Sequence, residues 1–81
     1  MKIVICNDGN GLMQVGVDGV FFSNLDASGL EVNIHAVQWK DTYGWIERKD
    51  PLTERMVANE DIDSMDQFQF AVDAWNAAYQ A

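Results

Sequence analysis

The order of apolar, polar and turn-forming residues along the first third of the chain predicts three β-strands. Residues 2–6 are rich in β-branched side chains and predict a strand followed by a run of turn formers. Residues 12–17 alternate between two faces with a period of two, which is typical of a half-buried strand, and they lead into Asp18-Gly19. This dipeptide predicts a two-residue hairpin turn, because both central positions of the favoured turn need positive φ. Residues 20–22 then return as the partner strand.

A second hairpin is predicted in the middle of the chain. Alternation resumes over residues 31–39, and residues 45–48 form the partner strand after a short polar turn. We favour a three-residue loop that holds Gly44 in the left-handed conformation, since glycine adopts it without steric cost. An odd loop of this kind would place Trp39 and Trp45 on the same face of the sheet.

The last third predicts an exposed connection followed by a helix. Residues 49–61 carry six charged side chains and the single proline, with a short edge strand expected at residues 55–57. Apolar residues then recur at spacings of three and four, which predicts a helix over about residues 65–79. Ser64 and Gln67 have the spacing of a capping box at its start. The apolar stripe consists of Met65, Phe68, Val72, Trp75 and Tyr79.

Together these elements predict an α+β fold. We expect a small antiparallel sheet of four to five strands, with one C-terminal amphipathic helix packed on one face. The helix must bury its apolar stripe, and the sheet is the available surface. A chain of 81 residues is too short to divide its apolar area between two cores, so a single domain over residues 1–81 is expected.

The charge balance narrows the class of partner. Thirteen acids against five bases give a formal net charge of −8. Binding to nucleic-acid phosphates or to an anionic membrane needs a basic face, which five dispersed bases do not form. We therefore expect no nucleic acid and no membrane as partners. An acidic surface suits a basic protein partner instead.

The residues that usually carry chemistry do not form a recognisable catalytic or metal-binding set. Cys6 is the single cysteine, and His35 is the single histidine, with Glu47 as its nearest carboxylate candidate on the neighbouring strand. Residues 7–11 lack the lysine of a phosphate-binding loop, and helix capping explains the acids of residues 59–63 more simply than weak calcium binding does. We expect no enzyme activity, no cofactor and no metal.

Several of these residues fall into a pattern that resembles a group of small proteins encoded by tailed bacteriophages and prophages. The chain reads HAVQW at residues 35–39, GWIE at residues 44–47 and DAW at residues 73–75. In the group, a strand-rich region ends in a hairpin with H-A-x-Q-W and G-x-I-E, followed by a tryptophan-bearing helix. The resemblance rests on His35, Ala36, Gln38, Trp39, Gly44, Ile46, Glu47 and Trp75.

The resemblance implies a phage-encoded accessory protein of the tail or tail-fibre module that acts by binding. It implies that Trp39 and Trp75 meet between sheet and helix. The expected partner is a protein, either a phage tail protein or a host factor, and an exposed strand edge would also allow a homo-oligomer. We expect the protein in the cytoplasm of the bacterial host and, as a component, in the virion. The partner-binding candidates are Gln38, Trp45, Glu47 and Asp73.

A second hypothesis is a small acidic inhibitor of a host defence complex that acts by charge mimicry. It predicts binding that weakens with salt. A third, a small hydrolase or metal enzyme, would need a spaced set of ligands or a positioned nucleophile that the chain does not offer.

Overall fold

The computed structural model describes residues 1–81 as one open antiparallel sheet of six strands with a single C-terminal α-helix. The predicted α+β class and the helix at the C-terminus are confirmed, whereas the predicted number of four to five strands is wrong. The elements are β1 (Lys2–Asn7), β2 (Leu12–Val17), β3 (Val20–Asp26), β4 (Ile34–Lys40), β5 (Tyr43–Arg48), β6 (Glu60–Ile62) and α1 (Gln69–Gln80).

The strand order is β3-β2-β1-β4-β5-β6, so the sheet joins two halves of the chain along its centre. The register there runs from Lys2 opposite Lys40 to Cys6 opposite Ala36. β3 and β6 are left as the two edges. The connections at one end of the sheet are short turns, while the other end carries longer loops at residues 27–33 and 49–59.

The missed strand is β6, and its sequence explains why. It has three residues, Glu60–Ile62, of which two are acidic, so it shows no apolar alternation. The edge strand expected at residues 55–57 does not form, and Met56 makes only an isolated bridge with Lys49. β3 continues to Asp26 instead of ending at residue 22, and β4 begins at Ile34 instead of residue 31.

Of the two hairpin turns predicted from the sequence, the structure confirms one and contradicts the other. The turn at Asp18-Gly19 is confirmed, with φ of 49° and 87° at its two positions. The three-residue loop expected after β4 is wrong. Lys40 pairs with Tyr43, which leaves a two-residue loop whose first residue, Asp41, takes a φ of 57°.

This even loop separates the two tryptophans of the hairpin. Trp39 lies opposite Gly44, whereas Trp45 lies opposite Gln38, so the two indoles project from opposite faces of the sheet. Gly44 is required for space and not for a positive φ. A Cβ atom on it would collide with the carbonyl oxygen of Gln38 and with the ring of Trp39.

One face of the sheet, here called the covered face, carries the hydrophobic core. The chain leaves β6, crosses this face through a 3-10 helix at Asp66–Phe68, and returns as α1 over β2 and β3. The crossing buries Phe68, and the loop at residues 27–33 adds Ala27 and Leu30. The core cluster consists of Ile3, Ile5, Met13, Val15, Val17, Ala27, Leu30, Ile34, Val37, Ile46, Phe68 and Ala71.

The helix starts later than predicted. The expected helix over residues 65–79 is a 3-10 turn at Asp66–Phe68 followed by α1 from Gln69 to Gln80. The predicted capping box with Gln67 does not form. Ser64 Oγ does accept a hydrogen bond from the backbone N–H of Asp66 at 3.1 Å, so this serine closes the turn ahead of the helix.

Trp75 anchors the second half of α1, but not against Trp39 as the resemblance implied. Its indole Nε1–H donates to the carbonyl oxygen of Val20 at 2.8 Å. Its ring stacks on Tyr79 at 5.0 Å between centroids and meets Phe22 edge-on at 5.8 Å. Trp75 therefore fixes the helix to the β3 edge, whereas Trp39 lies in the other half of the sheet.

Arg48 connects the loop at residues 27–33 to the other edge of the sheet. Its guanidinium donates to Glu31 at 3.2 Å and to Glu60 at 2.6 Å, and these two carboxylates raise its pKa further above its usual range. These two hydrogen bonds link β5 to the loop at residues 27–33 and to β6. No helix of the structure has the length and apolar character needed to cross a lipid bilayer.

Candidate partner-binding surface

The second face of the sheet, here called the open face, is not covered by the helix. Side chains of successive strand residues point to opposite faces, so the strand registers define its members. It mixes apolar, aromatic and polar groups, in contrast to the uniformly apolar core. Its central members are Val4, Cys6, Gln14, Gly16, Phe21, Ala36, Gln38, Tyr43, Trp45, Glu47 and Asp61.

Trp45 stands at the middle of the polar part of the open face. Across the strands it lies between Gln38 of β4 and Asp61 of β6. Along β5 its same-face neighbours are Tyr43 and Glu47, each two residues away. The indole is therefore surrounded on all four sides by groups able to form hydrogen bonds.

The contacts of the indole fix its orientation. Nε1–H donates to Glu47 Oε2 at 2.8 Å, which satisfies the polar end of the ring. The ammonium group of Lys40 lies 5.4 Å from the ring centroid, in the range of a cation–π contact. The ring of Tyr43 lies 6.4 Å away at an interplanar angle of 32°. Trp45 is only partly buried, so a preset aromatic surface faces solvent.

This group of side chains, here called the Trp45 platform, has the composition of a binding anchor with a polar rim. Acceptors dominate the rim, because two carboxylates stand beside one ammonium group and one amide. Its members are Gln38, Lys40, Tyr43, Trp45, Glu47 and Asp61.

Three of the four residues expected to contact a partner come together here. Gln38, Trp45 and Glu47 are neighbours on the open face. Asp73 is separate, because it lies on the exposed side of α1, on the other side of the sheet. There its carboxylate accepts a hydrogen bond from Gln69 Nε2 at 3.0 Å, one turn earlier in the helix.

Tyr43, Lys40 and Asp61 belong to the platform but were not among the sequence candidates. Tyr43 was assigned to the turn, and Asp61 was assigned to the acids near the helix. The two-residue loop between β4 and β5 makes Lys40 and Tyr43 the pair that flanks the turn. Because the sequence predicted a three-residue loop, it did not indicate this pair. Nothing in the sequence alone indicates that Asp61 pairs with Trp45, because that contact depends on β6.

His35 does not form the suggested pair with Glu47. The register of β4 and β5 shifts between Ile34 and Ala36, so His35 is the extra residue of a bulge and is exposed. The carboxylate of Glu47 is bound to Trp45 instead. No group of three or more His, Cys, Asp or Glu side chains is arranged to hold a metal ion.

His35 lines a shallow cleft of about 290 Å³ at the loop end of the sheet. The cleft lies between the turn after β1, the residues that lead into β4 and the connection after β5. Eight of its ten lining residues are not hydrophobic, and its wall carries one positive charge, at Lys49, and two negative charges, at Asp50 and Glu54.

Cys6 also lies on the open face, between Gln14 and Ala36. Burial, and to a smaller extent the negative charges of Asp8 and Glu47, raise the pKa of its thiol above the ordinary value of 9.0. The thiol is therefore protonated at neutral pH and acts as a small apolar side chain.

No protein-family model, no curated protein and no solved structure matches this chain. The open face is thus interpreted from its own residues and their geometry.

Proposed function

We propose that this protein is a non-enzymatic binding protein encoded by a tailed bacteriophage or prophage. In this proposal it is a structural or assembly component of the virion, within the tail module, and it holds a protein partner on the open face of its sheet. The observation that carries the proposal is the Trp45 platform. It presents a partly buried indole, held by its bond to Glu47, within the polar part of that face.

The geometry of the platform supports binding to a protein. Binding energy at protein interfaces concentrates in a few aromatic or arginine anchors surrounded by a polar rim. The bond from Trp45 to Glu47 already fixes the indole, so a partner that packs on it orders little additional side-chain freedom. Tyr43 extends the aromatic surface towards the turn.

The charge of the chain indicates what the partner surface offers. Glu47 and Asp61 present carboxylates beside the anchor, and the whole chain carries a formal charge of −8. A partner with arginine, lysine or backbone N–H groups around an apolar recess fits these acceptors. The long-range field would also speed the approach of such a partner.

The resemblance to tailed-phage accessory proteins supports the same function. Gln38 and Glu47, two of the residues that carry it, are the direct neighbours of Trp45 on the open face. Two others have structural reasons for their identity, since Gly44 admits the ring of Trp39 and Ile46 lies in the core. The pattern thus combines folding residues with platform residues.

The test is quantitative mass spectrometry of purified particles of the encoding phage, beside the cytosol of the infected bacterial host. We expect the protein to be enriched in particles at a fixed number of copies. A protein abundant in cytosol and absent from particles at every stage of assembly would contradict a role as a virion component.

A second candidate function, inhibition of a host defence complex through an acidic surface, rests on one specific observation. After Arg55 the chain has no basic residue, and all five acids of this stretch are exposed. These acids are Glu60, Asp61, Asp63, Asp66 and Asp73. Charge mimicry predicts that affinity for a basic host protein falls steeply between about 0.1 M and about 1 M salt. An affinity that does not change with salt would exclude it.

A further inference from the structure

The two edges of the sheet are built in opposite ways. β6 has three residues, two of them acidic, and Glu60 is held by Arg48, so this edge is short and charged. β3 has seven residues, and its stretch Val20–Leu25 carries no charge in a chain whose net charge is −8. Short length and charged side chains are two of the usual protections of a sheet edge against pairing with another strand, and a β-bulge is a third. β6 has the first two, whereas the first six residues of β3 have only a bulge, at Ser23 and Asn24.

The backbone of β3 is available for pairing at Phe21. The N–H of Asp18 donates to the carbonyl oxygen of Lys2, so residues 16 and 18 of β2 and its turn direct their backbone groups towards β1. Phe21 lies opposite Gly16, and it therefore directs its own N–H and carbonyl groups outwards. No backbone hydrogen bond outside the sheet ladders involves Val20 to Leu25.

The same edge concentrates exposed apolar area. Val20, Phe21 and Tyr79 are exposed by 45%, 47% and 62%. Tyr79 reaches this edge through its contacts with Phe22 and Trp75. The edge thus offers a strand, an aromatic cluster and the end of α1 in one continuous surface.

We propose that β3 pairs with β3 of a second copy of this chain, in antiparallel orientation about a twofold axis perpendicular to the sheet. The uncharged strand identifies this occupant, because a second copy shares the net charge of −8 and can approach closely only where charge is absent. A basic partner would instead be matched by acids, which this stretch of β3 lacks.

The twofold axis places both α1 helices on the same side of the joined sheet. A ladder limited by the bulge at Ser23 and Asn24 is short, and a stable interface needs about 800 Å² from each partner. The aromatic cluster around Trp75 and Tyr79 supplies additional area beside the ladder. This inference is independent of the proposed function, since the Trp45 platform lies in the other half of the sheet.

Sedimentation velocity of the whole protein across a dilution series tests the pairing. We expect a concentration-dependent dimer that tightens as salt is added, because salt screens the repulsion between two acidic chains. Ser23→Lys should raise the dissociation constant at least about tenfold, since a lysine on the edge blocks strand addition. The matched control is Thr42→Lys, which makes the same change of charge at an exposed position in the turn between β4 and β5. Thr42→Lys should not weaken the dimer.

Amide exchange of the unmutated protein provides a second readout that does not depend on a variant. The N–H of Phe21 should exchange more slowly at high protein concentration than at low concentration. A protein that stays monomeric throughout the dilution series would overturn the inference. A dimer that is unaffected by Ser23→Lys, or weakened equally by both lysines, with no change at Phe21, would also overturn it.

Discussion

The covered and open faces of the sheet are made from alternate residues of the same strands, yet only the covered face is packed against the rest of the chain. On β5, Ile46 has no solvent exposure and belongs to the core, whereas its neighbours Trp45 and Glu47 contact each other and solvent. The helix α1, the 3-10 helix at Asp66–Phe68 and the loop at residues 27–33 all lie on the covered face. The difference indicates that folding is satisfied by one face, which leaves the composition of the other free to serve binding.

The largest expected effect lies on the covered face. Ile46→Ala should lower the free energy of unfolding by about 2 to 5 kcal/mol, because it removes buried methyl groups and leaves a cavity in the middle of the sheet. Chemical denaturation followed by tryptophan fluorescence measures this loss. A change below about 0.5 kcal/mol would show that the site is not closely packed and would weaken the contrast between the faces.

Trp75→Ala should have the next largest effect. It should lower the free energy of unfolding by about 3 kcal/mol and detach α1 from the sheet. The variant loses the hydrogen bond to Val20 and the ring contacts with Phe22 and Tyr79. Thermal unfolding followed by circular dichroism measures this loss of stability. Tyr79→Ala is the control, because Tyr79 is mostly exposed and should cost much less. Equal losses in the two variants would show that Trp75 is not the anchor.

Substitution of two glycines compares the tolerance of the two faces for an added side chain, since Gly44 lies on the covered face and Gly16 on the open face. A Cβ on Gly44 would collide with the backbone carbonyl of Gln38, which cannot move without disturbing the β4–β5 ladder. A Cβ on Gly16 would collide with the ring of Phe21, a half-exposed side chain on the open face that can rotate away. Gly44→Ala should therefore lower the free energy of unfolding by about 1 to 3 kcal/mol, and Gly16→Ala should lower it by less than about 1 kcal/mol. Denaturant unfolding of the two variants measures both losses. The reverse order would contradict this account of the open face.

The smallest effect concerns pH and Cys6. Its pKa is raised in the folded protein, first by burial and then by Asp8 and Glu47. A raised folded pKa means that the thiol favours folding at pH values below the unfolded pKa, and that this contribution is lost as pH rises through the folded pKa. Alkylation by iodoacetamide near pH 8 should be slower in the folded than in the urea-unfolded chain. Equal rates would mean that the open face does not shield the thiol.

Much of the fold could be predicted from the sequence because its signals are local. Alternation, β-branched composition and turn residues together identified five strands, the Asp18-Gly19 turn was assigned correctly, and the apolar stripe located the C-terminal helix. The errors arose where the outcome depends on distant contacts. β6 exists because it pairs with β5, and its own three residues carry no strand signal.

The candidate surface was predicted in part for the same reason. Gln38, Trp45 and Glu47 were named beside the resemblance, and they lie together because all three belong to the one predicted hairpin. The assumed odd loop nevertheless placed Trp45 on the face of Trp39. Because side chains alternate along a strand, a change of one residue in the loop moves every side chain of β5 to the other face. Asp61 joins the platform through tertiary pairing alone.

The central claim is that the open face binds a partner without supporting the fold. Under the proposed function as a virion component, its most direct test is the number of copies of the Trp45→Ala variant per purified phage particle, compared with the unmutated protein. We predict that Trp45→Ala keeps its thermal unfolding transition within a few degrees and is lost from particles. Incorporation of Trp45→Ala at the unmutated level would contradict the claim, as would loss of its folded structure.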